Sequence, residues 1–180
     1  MNCELQLITI IMIKPQDILV LLKIITLETT SWTQSQLAEE LKISPAEISG
    51  VIDRCMESGF INQDRNRLNK QAVREFLIHG LKYVFPPRMG AKVRGIATAH
   101  SAPPINEHIR EGEDSFVWPY YKGTLRGLRL EPLYKTVPEI VGAYPALYEL
   151  LVIVDTLRVG RVREVEVAVM ELDKRLNYVG

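Results

Sequence analysis

The sequence predicts a mainly α-helical protein with a small β wing, in which an irregular middle segment connects two helical parts. Helix-start signals and helical apolar periodicity occur in residues 1–85, chiefly from residue 12 onward, and again in residues 137–180. Between them, residues 86–136 are rich in Pro and Gly and have little periodicity. With 180 residues, 47% of them hydrophobic, the chain is long enough for one domain, or two small ones, with a proper core.

The charge balance excludes a protein that is basic as a whole. The 22 Lys and Arg residues equal the 22 Asp and Glu residues, so attraction to nucleic acid has to come from a local patch. Residues 81–130 are the most basic part, with eight basic and four acidic side chains. The two cysteines, Cys3 and Cys55, have neither metal-site nor disulfide-framework spacing, which favours a reducing, cytoplasmic location.

Residues 5–13 form an apolar run of strand length. The run lacks the basic region and cleavage site of a signal peptide and is too short to cross a bilayer, so we expect no membrane association. Two interpretations stay open: an added strand or helix extension, or an addition upstream of a natural start at Met12. A helix is then predicted over residues 16–28, opened by Pro15 and Asp17, and apolar nearly all round, hence buried on more than one side.

Residues 33–67 read as two short helices, a tight turn and a wing. Thr33 and Gln36 have the spacing of a capping box, which predicts the start of the first helix. Ser44, followed by a proline and then an acid, predicts the start of a second helix over residues 44–58. The apolar stripe of this helix leaves an outward face of small and polar groups, formed by Ala46, Glu47, Ser49, Gly50, Asp53 and Arg54.

The runs 37–44, 48–52 and 57–61 resemble the winged helix-turn-helix of bacterial regulators of the MarR type, and the resemblance covers roughly residues 12–85. It implies that helix 44–58 enters the major groove of double-stranded DNA, that the wing contacts phosphates or the minor groove, and that the protein is a homodimer. The turn position usually filled by glycine is Lys42. Either this lysine is strained, or the turn has a different shape.

The resemblance implies a sequence-specific transcriptional regulator, acting by occupying a promoter as a repressor. Its predicted DNA-binding residues are Thr33, Ser44, Ala46, Glu47, Ser49, Gly50, Asp53, Arg54, Arg65, Arg67 and Lys70, with the basic ones on phosphates. The acids on this face count against phosphate contact, although a carboxylate can accept from a cytosine amino group. The alternative is a winged-helix adaptor or antitoxin-like protein that holds a protein partner through residues 86–180, with DNA binding secondary or absent.

The middle segment, residues 86–136, mixes basic and aromatic side chains. They are Arg88, Lys92, Arg94, Lys122, Arg126 and Arg129, with Trp118, Tyr120, Tyr121 and Tyr134 close by. Such groups either grip a phosphate backbone and stack on bases or, as is commoner, pin an arm to the core while the arginines stay solvated. Residues 123–130 alternate enough to pair as one or two strands.

Three further helices complete the prediction. One spans residues 68–84, and two form a C-terminal hairpin, the first starting at Pro145 and ending near Gly160. The second carries an a/d-like seam, either internal or between subunits, formed by Val162, Val165, Val169, Leu172 and Leu176. We find no carboxylate pair, nucleophile elbow, phosphate loop or metal spacing, so we expect neither an enzyme nor a cofactor.

Overall fold

A computed structural model describes residues 12–27, 31–64, 67–109 and 114–178. The fold is mixed α/β, with helices at both ends of the chain and a small three-stranded sheet in the middle. The helices are α1 Pro15–Thr26, α2 Gln34–Leu41, α3 Pro45–Glu57, α4 Lys70–Glu75, α5 Leu81–Val84, α6 Val137–Ile140, α7 Pro145–Val159 and α8 Val162–Leu176. The strands are β1 Met89–Thr98, β2 Phe116–Pro119 and β3 Leu125–Leu130. Most of the apolar run at residues 5–13 lies outside the described residues.

Helix α1 lies at the centre of the N-terminal part, as its sequence predicts. Residues 18–22 are at most 1% exposed, and the helix contacts α2, α3 and α7. Asp17 and Lys23 are buried on the same helix, and each has an ionic partner. Lys23 pairs with Glu40 of α2 and lies over the ring of Tyr144, with 3.6 Å between Nζ and the ring centroid.

The predicted helix starts of α2 and α3 are confirmed. The Thr33 hydroxyl accepts from the Gln36 amide (3.1 Å), and Ser44 and Glu47 form a capping box. The turn between the helices keeps a left-handed residue at Lys42, with φ 53° and ψ 44°, so the lysine adopts the conformation that glycine would take more easily. Gly59, with φ 75°, follows α3. A short hairpin comes next, in which Ile61 pairs with Leu68.

The predicted helix over residues 68–84 is present, but it is not a uniform α-helix. A π-helical turn, Phe76–Gly80, separates α4 from α5. Along the whole of residues 68–84, the buried side chains are those of Val73, Leu77 and Leu81, which belong to the apolar stripe expected from the sequence.

The middle segment differs from the expected irregular arm, because it holds all three strands. β1 pairs antiparallel with both β2 and β3, and β2 pairs parallel with β3, so the sheet closes on itself. Closure brings backbones into contact where glycines stand. A Cβ at Gly95 would overlap the Trp118 carbonyl, one at Gly123 the carbonyl of Gly95, and one at Gly127 the Ser115 carbonyl.

The C-terminal hairpin is confirmed, with a seam shifted from the predicted one. Leu172 and Leu176 are buried, but Val162 is 78% exposed and Ala168 occupies the contact with α7 instead. This seam is internal, since α7 and α8 pack on each other. A pattern of only two heptads does not determine which side of a helix faces its neighbour. The packing partner determines it.

Asp155 of α7 joins the sheet to the helices. This fully buried carboxylate accepts hydrogen bonds from Thr98 Oγ1 (2.9 Å), Trp118 Nε1 (2.6 Å) and Arg158 Nη1 (2.8 Å). Burial raises the pKa of Asp155, whereas the charge of Arg158 and these hydrogen bonds oppose the rise. One apolar core runs from α1 through α3 and α7 to α8, so it crosses the predicted segment boundaries at residues 85–86 and 136–137.

Candidate nucleic-acid interface

The outward face of α3 carries small and acidic groups. Ala46, Glu47 and Asp53 are exposed, while Ser49 and Gly50 are half-buried. Glu47 takes part in the cap of its own helix. Its Oε2 accepts hydrogen bonds from the Ser44 hydroxyl (2.7 Å) and the Ser44 amide (3.3 Å). These hydrogen bonds lower the pKa of Glu47, so the carboxylate is ionised at neutral pH. The face is therefore small in relief and carries negative rather than positive charge.

The side chain of Arg54 is held by an ion pair within the protein. Its Nε and Nη2 donate to the two carboxylate oxygens of Asp17, at 2.8 and 2.5 Å. Since Asp17 is fully buried, this bidentate pair is a structural clamp between α3 and the first turn of α1. The sequence contains an indication of this ion pair. Asp17 stands at the start of a helix that is apolar nearly all round, and an acid buried there needs a cationic partner.

The hairpin after α3 is tied at its base. The Asn62 amide donates to the Arg67 carbonyl (2.9 Å), and the Arg67 amide donates to Asn62 Oδ1 (3.0 Å). Arg67 is exposed beside the tip, whereas Arg65 lies outside the described residues. Of the predicted phosphate contacts on this hairpin, Arg67 is thus placed where solvent and ligands reach it.

Two other predicted residues, Thr33 and Lys70, have structural partners within the protein. Thr33 caps α2, as described above, and Lys70 Nζ donates to the Leu176 carbonyl (3.0 Å) at the end of α8. A cation at a helix C-terminus is favourable, because the last carbonyls lack partners within the helix. Lys70 thereby connects the N-terminal and C-terminal parts of the chain.

A second segment, residues 134–139, contacts α3 and the turn before it, and the sequence did not predict this contact. Tyr134 Oη donates to Glu47 Oε1 (3.4 Å), and Lys42 Nζ donates to Glu139 Oε2 (3.0 Å). Residues 134–139 therefore lie against the turn and the first turn of α3. No local sequence pattern indicates these contacts, because they join residues 87 and 97 positions apart.

Glu139, which Lys42 holds, also lines an open groove of about 470 Å³. Arg94 of β1 and Tyr120 and Tyr121 after β2 form one side, and residues 135–139 form the other. The rings of Tyr120 and Tyr121 are 5.1 Å apart between centroids, and Lys122 Nζ lies 5.3 Å from the Tyr121 centroid. Basic and aromatic side chains that are separated in the sequence thus meet beside α3.

The cations of the sheet fall into two kinds. Lys92 pairs with Asp114 (2.5 Å), and Arg129 pairs with Glu131 (3.4 Å). Arg94 and Arg126 instead face each other across the β1–β3 pair, and both are exposed. Among the residues that the structure describes, neither of these two arginines has an acidic partner.

Metal ligands, the thiol of Cys55 and the length of the helices are the remaining features of the described ranges with a bearing on function. Within these ranges, no three His, Cys, Asp or Glu side chains come together in a way that could hold a metal ion. Cys55 is fully buried, and burial together with the charge of Asp17 raises the pKa of its thiol to about 12. None of the helices placed by the structure combines the length and apolar character needed to cross a bilayer.

Comparisons of the chain with protein-family models, with curated proteins and with solved structures find no match.

Proposed function

We propose that this protein is a sequence-specific DNA-binding regulator that inserts α3 into the major groove. The observation that carries the proposal is the order α2, left-handed turn, α3 and short hairpin, with the outward face of α3 made of small and polar groups. A helix with such a face can approach base edges closely, and a hairpin after it can reach the backbone.

The residue roles follow from these positions. Ala46, Ser49 and Gly50 are the closest-approach positions, and Ser49 is a donor and acceptor for a base edge. Glu47 and Asp53 select against phosphate and accept from cytosine amino groups. Arg67, with Arg65 of the same hairpin, contacts phosphates. Arg54, Lys70 and Thr33 act indirectly in this proposal, since their side chains hold α1, α8 and α2 in place.

We further propose that two copies bind one operator. A palindrome is read when two recognition helices lie one DNA turn apart, which a dimer provides. Sedimentation of the protein with and without its operator tests this: a complex of two chains per duplex is expected, and a single chain per duplex would contradict it.

Binding to DNA is tested with dye-labelled duplexes by anisotropy at two salt concentrations. One duplex carries the sequence upstream of the coding region, and the other is unrelated. We expect salt-sensitive binding that favours the upstream duplex. The Arg65→Ala/Arg67→Ala double variant is expected to weaken binding to both duplexes, whereas Ser49→Ala changes the preference between them. Ser35→Ala, an exposed position on α2, is the matched control and leaves both affinities unchanged.

The adaptor is the second candidate, favoured by the contacts of residues 134–139 with the start of α3. In that function, the α3 face and residues 86–180 bind a protein partner. Equal, weak binding to both duplexes, with Ser49→Ala indistinguishable from the wild type, would exclude the regulator and support the adaptor.

A further inference from the structure

We propose that the groove beside α3, lined by Arg94, Tyr120, Tyr121 and Lys135, is a second nucleic-acid site that binds the phosphate backbone. We call it the sheet groove. The inference rests on the proposed function for its position next to α3. It adds a contact surface that lies outside the helix-turn-helix and its hairpin.

The first argument is the uncompensated charge of the sheet. Arg94 and Arg126 stand directly opposite each other in an antiparallel pair, so their side chains share one face of the sheet. Like charges in this arrangement repel and destabilise the pair. Elsewhere in the same sheet, Lys92 and Arg129 have acidic partners. Of these two arginines, Arg94 lines the sheet groove and Arg126 is its partner across the strand pair. An anion bound between Arg94 and Arg126 would remove the repulsion, and a phosphate accepts well from guanidinium groups.

The second argument is the aromatic side of the groove. Tyr121 is 75% exposed, although tyrosine rings are generally half-buried or more in folded proteins. Its ring contacts the tilted ring of Tyr120 and has the Lys122 ammonium 5.3 Å from its centroid, so an exposed aromatic surface stands next to a cation. Stacking surfaces combined with cations are the feature by which proteins hold nucleic-acid strands without reading their sequence.

The third argument is continuity with α3. The far side of the sheet groove includes Lys135 and Glu139, and Glu139 is held by Lys42 in the turn before α3. Tyr134, adjacent to Lys135, contacts Glu47 on the first turn of α3. One nucleic-acid molecule lying along α3 can therefore continue into the sheet groove. The net effect is to supply the positive charge that the α3 face lacks.

The test compares two double variants with the same change in charge. Arg94→Gln/Lys135→Gln removes two cations from the sheet groove. Arg163→Gln/Lys82→Gln removes two exposed cations elsewhere, on α8 and α5. Each protein is titrated against the upstream duplex, the unrelated duplex and single-stranded (dT)12, over a series of salt concentrations. The single strand offers no major groove to α3, so it reports on backbone contacts, and the difference between wild type and groove variant isolates those of the sheet groove.

We expect the groove variant to lose affinity for all three probes by a similar factor, about tenfold, and the slope of log affinity against log salt to fall by about 2. The control variant should keep the wild-type values. Binding of (dT)12 by the wild type and its loss in the groove variant, without preference for the upstream duplex, would support the sheet groove and exclude the proposed regulator. A groove variant that matches the wild type on every probe would contradict the sheet groove but not the proposed regulator. The same holds for a wild type that binds the upstream duplex but never (dT)12. A wild type that binds none of the probes excludes both.

A stability measurement adds a readout that does not need nucleic acid. Inorganic phosphate should raise the melting temperature of the wild type more than chloride does at equal ionic strength, since it binds between the two arginines. Phosphate also stabilises folded proteins in general, through its exclusion from their surface. In Arg126→Gln the repulsion is absent, so the extra effect of phosphate should shrink towards this general effect, while the effect of chloride remains. Equal responses of wild type and variant to the two salts would contradict an anion site at this pair.

Discussion

Lys42 is the clearest case in which a single residue adopts a conformation that its side chain disfavours. Its left-handed backbone ends α2, and its amide donates to carbonyls in the last turn of that helix. A Cβ in this conformation costs roughly 1 kcal/mol relative to glycine. The turn therefore keeps its shape because the helices on both sides are buried against α1, not because the turn residue favours it.

We expect Lys42→Gly to be more stable than Lys42→Ala by about 1 kcal/mol in urea unfolding, because only the alanine retains the strained Cβ. Both variants lose the ion pair with Glu139, so it cancels in the comparison. At ordinary helix positions the order is the reverse. An alanine variant as stable as the glycine variant would contradict a strained turn.

The Asp17–Arg54 pair illustrates what could be read from the sequence at this scale. The apolar stripe of α3 assigns Arg54 to the outward face with phosphate contact as its predicted role, but the side chain is half-buried. The buried acid of α1 takes the guanidinium instead. Periodicity assigns a residue to a face of its helix, but only the three-dimensional packing decides which neighbour it meets.

Among the elements, the helices could be predicted and the strands mostly could not. Caps and apolar spacing are local signals, and they locate α1, α2, α3, α7 and α8 to within about two residues. β1 has no such signal, since Met89–Thr98 contains two glycines and lacks regular alternation. Its stability comes from pairing with β2 and β3, which are distant in the chain. Only β3 lies in a stretch, residues 123–130, for which the sequence predicts strand pairing, and its buried positions are three residues apart rather than alternating.

Glycine at position 95 is required by the closure of the sheet. We expect Gly95→Ala to lower the free energy of unfolding by about 2–3 kcal/mol, because its Cβ would overlap the backbone of Trp118 and neither strand can move without breaking the ladder. Gly142→Ala is the matched control: it has open space around it, so no loss is expected. Urea unfolding of the two variants measures the difference. A Gly95→Ala protein with wild-type stability would mean that the sheet is more open than described.

At the scale of the whole molecule, a cluster of charges joins α8 to α7 and to the turn at residues 105–108. Glu171 contacts His108 Nε2 (3.0 Å), Lys174 Nζ (2.5 Å) and Arg175 Nη1 (2.6 Å), and Arg175 also pairs with Glu149 of α7. Burial acts to raise the pKa of Glu171, but the hydrogen bonds and charges of Lys174 and Arg175 outweigh burial and lower it to about 2.

This lowered pKa links the cluster to acid stability. Because the pKa of Glu171 is lower in the folded state than the ordinary value of 4.5, its contribution is present above pH 4.5 and is lost as the pH falls towards 2. We expect Glu171→Gln to be less stable than the wild type by about 2 kcal/mol at pH 7, and this difference to shrink between pH 4.5 and 2. Urea unfolding at a series of pH values measures it. Glu166→Gln, exposed on the same helix, is the control and should show neither effect.

The hydrogen bond from Trp118 to Asp155 also gives the chain a built-in optical reporter. The protein contains two tryptophans, and the other, Trp32, packs at the edge of the core just before α2. A buried indole emits at shorter wavelength than one in water, and Trp118 is 1% exposed, so Trp32→Phe leaves a chain whose emission follows the surroundings of the sheet alone. Trp118→Phe leaves one that follows the helical N-terminal part. Recorded during the same denaturation, the two spectra would distinguish a molecule that melts in a single step from one whose sheet separates first.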